Sequence, residues 1–183
     1  AWARALVGER GATPLLGINT GAGGRWPLKM MSEARLAEVL EDVLQHTGWS
    51  VLLLGGPAER ERNEALARGR DPARVRNAGC EHPVGAFAAL VEQCDALLCG
   101  DTLALHVATA LGVPSVAVFC PTSVTEIHAY DGLIRKLEPA DCACLSGYNR
   151  DCPWGKDCIN AIPSALLREA LQEQMARGIK SKR

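Results

Sequence analysis

Short apolar runs alternate along this chain with segments of helical period, and that alternation constrains its fold more than any other feature. Leu15–Asn19, Val51–Leu54, Arg74–Asn77, Ala96–Cys99, Ser115–Phe119 and Leu133–Leu137 carry the runs, each of strand length. The segments between them repeat their apolar residues every three or four positions. Ser32 can cap a helix reaching about Thr47, with Leu36, Val39, Leu40, Val43 and Leu44 on one face and Gly48 ending it. Pro57 can open a second helix that Gly69 closes, and further helices are expected over Val84–Gln93, Thr102–Leu111 and Pro163–Ala176. Strands separated by helices must cross over the sheet and return parallel. The expectation is an α/β fold with a mainly parallel sheet of about six strands.

Length and charge bound what such a fold can do. At roughly 150 residues per domain, 183 residues make a single domain with its own core, taken here as residues 1–183. Twenty Lys plus Arg against 21 Asp plus Glu leave a net charge of −1, which gives no electrostatic footprint for nucleic acid or an anionic membrane. No apolar run approaches the roughly 20 residues that span a bilayer, so no transmembrane segment is expected. The chain begins Ala-Trp-Ala-Arg, without the basic-then-apolar order of a secretory signal, and reads as a piece of a longer protein.

Two segments break the regular pattern. Asn19–Met31 follows the first strand and contains Gly21-Ala22-Gly23-Gly24. In open α/β sheets ligands bind at the carboxyl edge of the strands, and glycines there let backbone N–H groups approach an anion. Neither G-x-x-x-x-G-K-[ST] nor G-x-G-x-x-G is present, which argues against a simple NTPase or dehydrogenase. A plain glycine-rich turn fits the same residues. At the end of the fourth strand, Asp101, Thr102 and His106 lie within about one helical turn of each other and can converge on one ligand. They can equally be a helix cap and a half-buried histidine.

The second irregular segment, residues 139–160, holds Cys142, Cys144, Cys152 and Cys158 in the spacing C-x-C-x7-C-x5-C. Four clustered thiols point to a structural Zn²⁺ site, to one or two disulfides, or to free thiols in a reducing cytoplasm. No histidine lies nearby in sequence to activate a thiolate for catalysis. Cys80, Cys94, Cys99 and Cys120 sit in or beside apolar stretches and read as reduced core residues.

Three separated motifs together resemble the donor-binding half of glycosyltransferase family 9, the bacterial lipopolysaccharide heptosyltransferases. Asn19-Thr20-Gly21-Ala22-Gly23-Gly24-Arg25-Trp26-Pro27-Leu28-Lys29 is similar to its first donor loop and Leu54-Gly55-Gly56-Pro57-Ala58-Glu59 to its second. Gly100-Asp101-Thr102 through His106-Val107-Ala108, with Ala110–Pro114 and Phe119–Thr122, is similar to its most specific signature. The chain departs from the pattern in having Leu103 where the family usually has glycine, Met30-Met31-Ser32 after Lys29, and Cys120 before Pro121.

The resemblance implies a Rossmann-like three-layer α/β/α sandwich forming the C-terminal half of a GT-B enzyme. The implied activity is metal-independent transfer of a heptose-like sugar from a nucleoside diphosphate-sugar, such as ADP-heptose, to a lipopolysaccharide or related glycan acceptor. It implies donor binding by Thr20, Gly21, Ala22, Gly23, Gly24, Lys29, Glu59, His82, Asp101, Thr102 and His106, with Lys29 and Asp101 also catalytic. Arg25 is a second cation on the first loop. In this reading Glu59 meets the ribose, His82 flanks the base, Asp101 and Thr102 hold sugar hydroxyls or phosphate oxygens, and His106 donates to the diphosphate. No cofactor is required for transfer. The acceptor, glycan or lipid-linked, is expected on a separate N-terminal domain, and the enzyme in the cytoplasm or at the inner face of the inner membrane. A non-catalytic nucleotide-sugar module, or a metal or redox module built on the cysteine loop, are the other readings.

Overall fold

The computed structural model describes residues 1–8, 11–24 and 26–181. Six strands form one sheet, β1 (Leu15–Asn19), β2 (Ser50–Leu54), β3 (Val75–Asn77), β4 (Ala96–Gly100), β5 (Ser115–Val118) and β6 (Ile134–Leu137). All neighbouring pairs run parallel, in the order β3-β2-β1-β4-β5-β6. Every strand falls where the apolar runs predict it, with ends shifted by a residue or so. The helices are α1 (Trp2–Val7), α2 (Glu33–His46), α3 (Arg60–Ala67), α4 (Val84–Val91), α5 (Leu103–Ala110) and α6 (Ser164–Ser181).

Because successive side chains alternate across a strand, the continuous apolar runs feed two cores at once. Leu16, Ile18, Val51, Leu53, Ala96, Leu98, Val116 and Val118 pack on one face with Leu36, Val39, Leu40 and Val43 of α2 and Leu167, Ala170, Leu171 and Met175 of α6. Leu15, Leu52, Leu54, Leu97, Cys99 and Ala117 pack on the other with α1, α4 and α5. Three layers result. Gly17 sits where a Cβ would stand 2.7 Å from the Cys94 sulfur, so its bare backbone is what lets the thiol seat against β1.

Caps set the helix starts as expected. Ser32 Oγ accepts from the Arg35 backbone N–H at 3.1 Å, and Thr102 Oγ1 accepts from that of Ala104 at 3.3 Å. Pro57 opens a short 3₁₀ turn, Pro57–Glu59, before α3, and α2 ends at His46 with Thr47 as its C-cap, within a residue of the expected end. Two features escaped the sequence reading. Helix α1 has six residues and no side-chain cap, and packs Ala3 and Val7 into the second core. Helix α6 runs past Ala176 through Gly178, where a Cβ would lie 1.7 Å from the carbonyl oxygen of Asp95. That glycine is a contact point between helix and sheet, not a stop.

The order of strand addition reverses between β1 and β4: β2 and β3 are added on one side, β5 and β6 on the other. The loops leaving β1 and β4 therefore diverge and open a crevice at the carboxyl edge.

Candidate functional site

A cleft of about 280 Å³ lies at that crevice. The loop after β1 lines it with Asn19, Gly21, Ala22 and Gly23, the turn after β2 with Gly55, Gly56 and Glu59, and the segment after β3 with His82, Val84 and Phe87. Thr102, Leu103 and Ala104, at the start of α5, close the far side. Four loops from four consecutive strand ends thus meet over one cavity.

The first two loops are joined by close packing. Glu59 is buried, and its Oε2 accepts from the Gly56 backbone N–H at 2.8 Å. Its other oxygen fills the space beside Gly21, where a Cβ would stand 2.1 Å away. A side chain at position 21 would thus displace the carboxylate from the cleft wall. Asn19 Nδ2 holds the loop from the other end by donating to the Gly21 carbonyl at 2.7 Å. Gly23 adopts φ +68, a conformation natural to glycine at this turn.

Lys29 and Asp101 form an ion pair, Nζ to Oδ2 2.8 Å, with the same ammonium donating to the Asp101 carbonyl at 3.1 Å. Their side chains are 14% and 15% exposed, so the pair is partly withdrawn from water. Gly100 makes the approach possible: a Cβ there would sit 2.7 Å from the Lys29 carbonyl oxygen. Lys29 lines a small cavity that shares Asn19 and Gly21 with the main cleft. The expected catalytic pair is thus adjacent to the cleft rather than inside it.

The structure brings Gly21, Ala22, Gly23, Glu59, His82 and Thr102 together around the cleft. Other candidates are placed differently. Thr20 is buried, with its hydroxyl against Asn63 Oδ1 at 2.5 Å and the Leu54 carbonyl at 3.2 Å, so it holds the loop to α3. Gly24 is exposed beyond the lining, and His106 is exposed on α5. Arg25 lies outside the described residues. His82 Nε2 donates to the Ala78 carbonyl at 2.7 Å, and its ring meets Trp2 edge to face at 5.2 Å. Helix α1 therefore supports one wall of the cleft. Val84 and Phe87, which also form that wall, carry no motif and are legible only as helix residues. Arg62, likewise unmarked in the sequence, donates from α3 to the Thr20 carbonyl at 2.7 Å.

The four cysteines expected in the core, Cys80, Cys94, Cys99 and Cys120, are all buried. Burial pushes the Cys80 and Cys99 thiols up, which keeps both neutral as core residues. Cys120 is buried in the first core as expected, and it also meets the loop: its sulfur is 3.7 Å from that of Cys142, which in turn is 3.2 Å from Cys144. None of the eight cysteines, all of them described residues, forms a disulfide. No described helix is long and apolar enough to cross a membrane.

Comparison with known proteins gives these features a context. The pattern of glycosyltransferase family 9 (heptosyltransferase) matches residues 4–155. Lipopolysaccharide heptosyltransferase 1 of Pseudomonas aeruginosa is 35% identical over 133 residues, 72% of this chain and 36% of that protein. Among solved structures, E. coli ADP-heptose lps heptosyltransferase II superposes with a TM-score of 0.74 at 18% identity, covering 96% of this chain and 50% of that one. E. coli heptosyltransferase WaaC, solved with ADP, superposes with a TM-score of 0.66 at 16% identity, over 92% of this chain and 46% of that one. The chain thus spans between about a third and a half of the relatives it matches. A family pattern laid over the loops after β1 and β2 and the Asp101-Thr102 strand end, on a fold of the same architecture, makes this chain a member of glycosyltransferase family 9, the heptosyltransferases.

Proposed function

We propose that this chain is the donor-binding domain of a heptosyltransferase, taking a nucleoside diphosphate-sugar of the ADP-heptose type. The observation that carries the reading is the meeting of Gly21–Gly23, Glu59 and Thr102 over one cleft, with the Lys29–Asp101 pair at its edge. Sugar transfer from such a donor leaves a nucleoside diphosphate whose negative charge grows in the transition state. Preorganised donors aimed at that charge lower the barrier. Backbone N–H groups of Gly21–Gly23 and the Thr102 hydroxyl supply such donors without a cation. Lys29 adds a positive charge, which an incoming diphosphate would share with Asp101. Glu59, already accepting from Gly56, has a second oxygen for a ribose hydroxyl, and Val84 and Phe87 offer apolar surface to a base. The transfer step so drawn requires no metal.

Transfer also needs an acceptor hydroxyl and a base to deprotonate it, held in reacting geometry. In this reading a second domain facing the cleft presents the glycan acceptor and the base, and the chain alone binds donor without turnover. Titration calorimetry with ADP, UDP and GDP tests the reading. Binding of ADP in preference to the other two is expected, with Lys29→Ala weakening it roughly 10- to 100-fold, the cost of about 1.5–3 kcal/mol for a charged hydrogen bond. Absence of binding by all three nucleotides at millimolar concentration refutes it. Leu103, 57% exposed in the cleft lining at the position where the family resemblance implies glycine, favours a second reading as a module that no longer binds donor. Under that reading the parent is silent and Leu103→Gly restores binding.

A further inference from the structure

The cysteine-rich loop is not self-contained. Strand β5 carries the chain to Cys120 at the carboxyl edge, and the loop folds back so that Cys142 and Cys144 meet it. The three sulfurs all lie within 4.8 Å of one another, though 22 residues separate Cys120 from Cys142. Cys158 faces Cys142 and Cys152 faces Cys144, each at the margin of this group of three. Cys120, Cys144 and Cys158 are 2%, 3% and 8% exposed, whereas Cys152 is only half-buried. The Cys152 sulfur accepts from the backbone N–H of Lys156 at 3.3 Å, within the turn ended by Gly155.

We propose that Cys120, Cys142, Cys144 and Cys158 form a closed tetrathiolate site for a structural transition-metal ion, Zn²⁺ or iron. Four sulfurs bound tetrahedrally at about 2.3 Å from Zn²⁺ stand about 3.8 Å from each other. The Cys120–Cys142 separation of 3.7 Å matches that spacing, and the Cys142–Cys144 separation of 3.2 Å would open on metal binding. A soft, all-sulfur donor set selects such metals over Mg²⁺ or Ca²⁺. Cys152 is left as the neighbouring fifth sulfur. Four protein ligands leave no open position, so the ion's task is to hold structure. It ties the end of β5 to the loop and to the turn Ile159–Ala161 that precedes α6. That turn meets the first donor-type loop: Asn160 Oδ1 accepts from the Ser32 backbone N–H at 2.8 Å, and Ile159 lines the small cavity beside Lys29.

Metal analysis of the chain, purified without chelator under anaerobic conditions, should find about one equivalent of zinc or iron, and the element found decides between them. After removal of the metal, added Co²⁺ should give the sulfur-to-cobalt charge-transfer and visible bands of a tetrahedral thiolate site. Cys120→Ser should lose at least ten-fold in metal affinity, although it lies outside the loop, while Cys152→Ser and the core control Cys94→Ser keep the metal. If Cys120→Ser does not fold, the cobalt spectrum of the unaltered chain carries the test. Folded protein that contains no metal and gives no cobalt spectrum overturns the proposal. So does retention of full metal affinity by a folded Cys120→Ser variant.

Discussion

Gly21 and Glu59 show how much of this cleft depends on a missing atom. The buried carboxylate occupies the volume a Cβ would need, so Gly21→Ala must push Glu59 away from the Gly56 N–H that it accepts. The glutamate side chain can rotate, which makes the fold tolerant of the change and the cleft intolerant. Expected is at least a ten-fold loss of nucleotide affinity with a melting temperature within a few degrees of the parent, read by calorimetry and thermal unfolding on the same sample. Thr20 is the counter-example. It stands in the same motif, but its hydroxyl is consumed by Asn63 and Leu54, and nothing in the sequence distinguishes it from a ligand-facing threonine. Composition near a strand end told which loop matters, but which of its residues turn inward depended on α3, some forty residues further along.

The strands were legible because burial on both faces leaves them almost continuously apolar, and α2 because its cap and its apolar face agree. Helix α1 was not, since six residues hold too few periods to register and their partners lie on α4 and in the second core. The end of α6 lay beyond the expected Ala176 for a different reason, at Gly178. Locally it weakens a helix, yet here it allows α6 to lie against the Asp95 carbonyl. A methyl group in that place meets the Asp95 backbone, which cannot yield by side-chain rotation. Gly178→Ala is therefore expected to destabilise the chain by about 1–3 kcal/mol despite the better helix propensity of alanine. Urea unfolding would show it, and a variant as stable as the parent would mean that α6 does not pack against β4 this closely.

Across the molecule, order should fall from the centre of the sheet outward. β2, β4 and β5 are buried nearly throughout, whereas Arg135 and Lys136 of β6 are not, and β3 has three residues. Amide exchange is expected slowest in β1, β2 and β4 and fastest in the 139–160 loop, unless metal pins the latter. Exchange measured with and without chelator separates the two cases. Cys120 shows why the sulfur cluster was only half visible from the sequence: its place at the end of an apolar run marks it as core, which it is, and only the return of the loop brings Cys142 to it. The crevice between β1 and β4 has one more consequence. Its walls run from Asn19 to Ala104, so no short stretch of chain can build it, and a nucleotide that fits it recognises only completed topology. Such a ligand would act as a thermodynamic proofreader of folding, adding about 2.7 kcal/mol to the native state at a hundred times its dissociation constant and nothing to any partly folded chain.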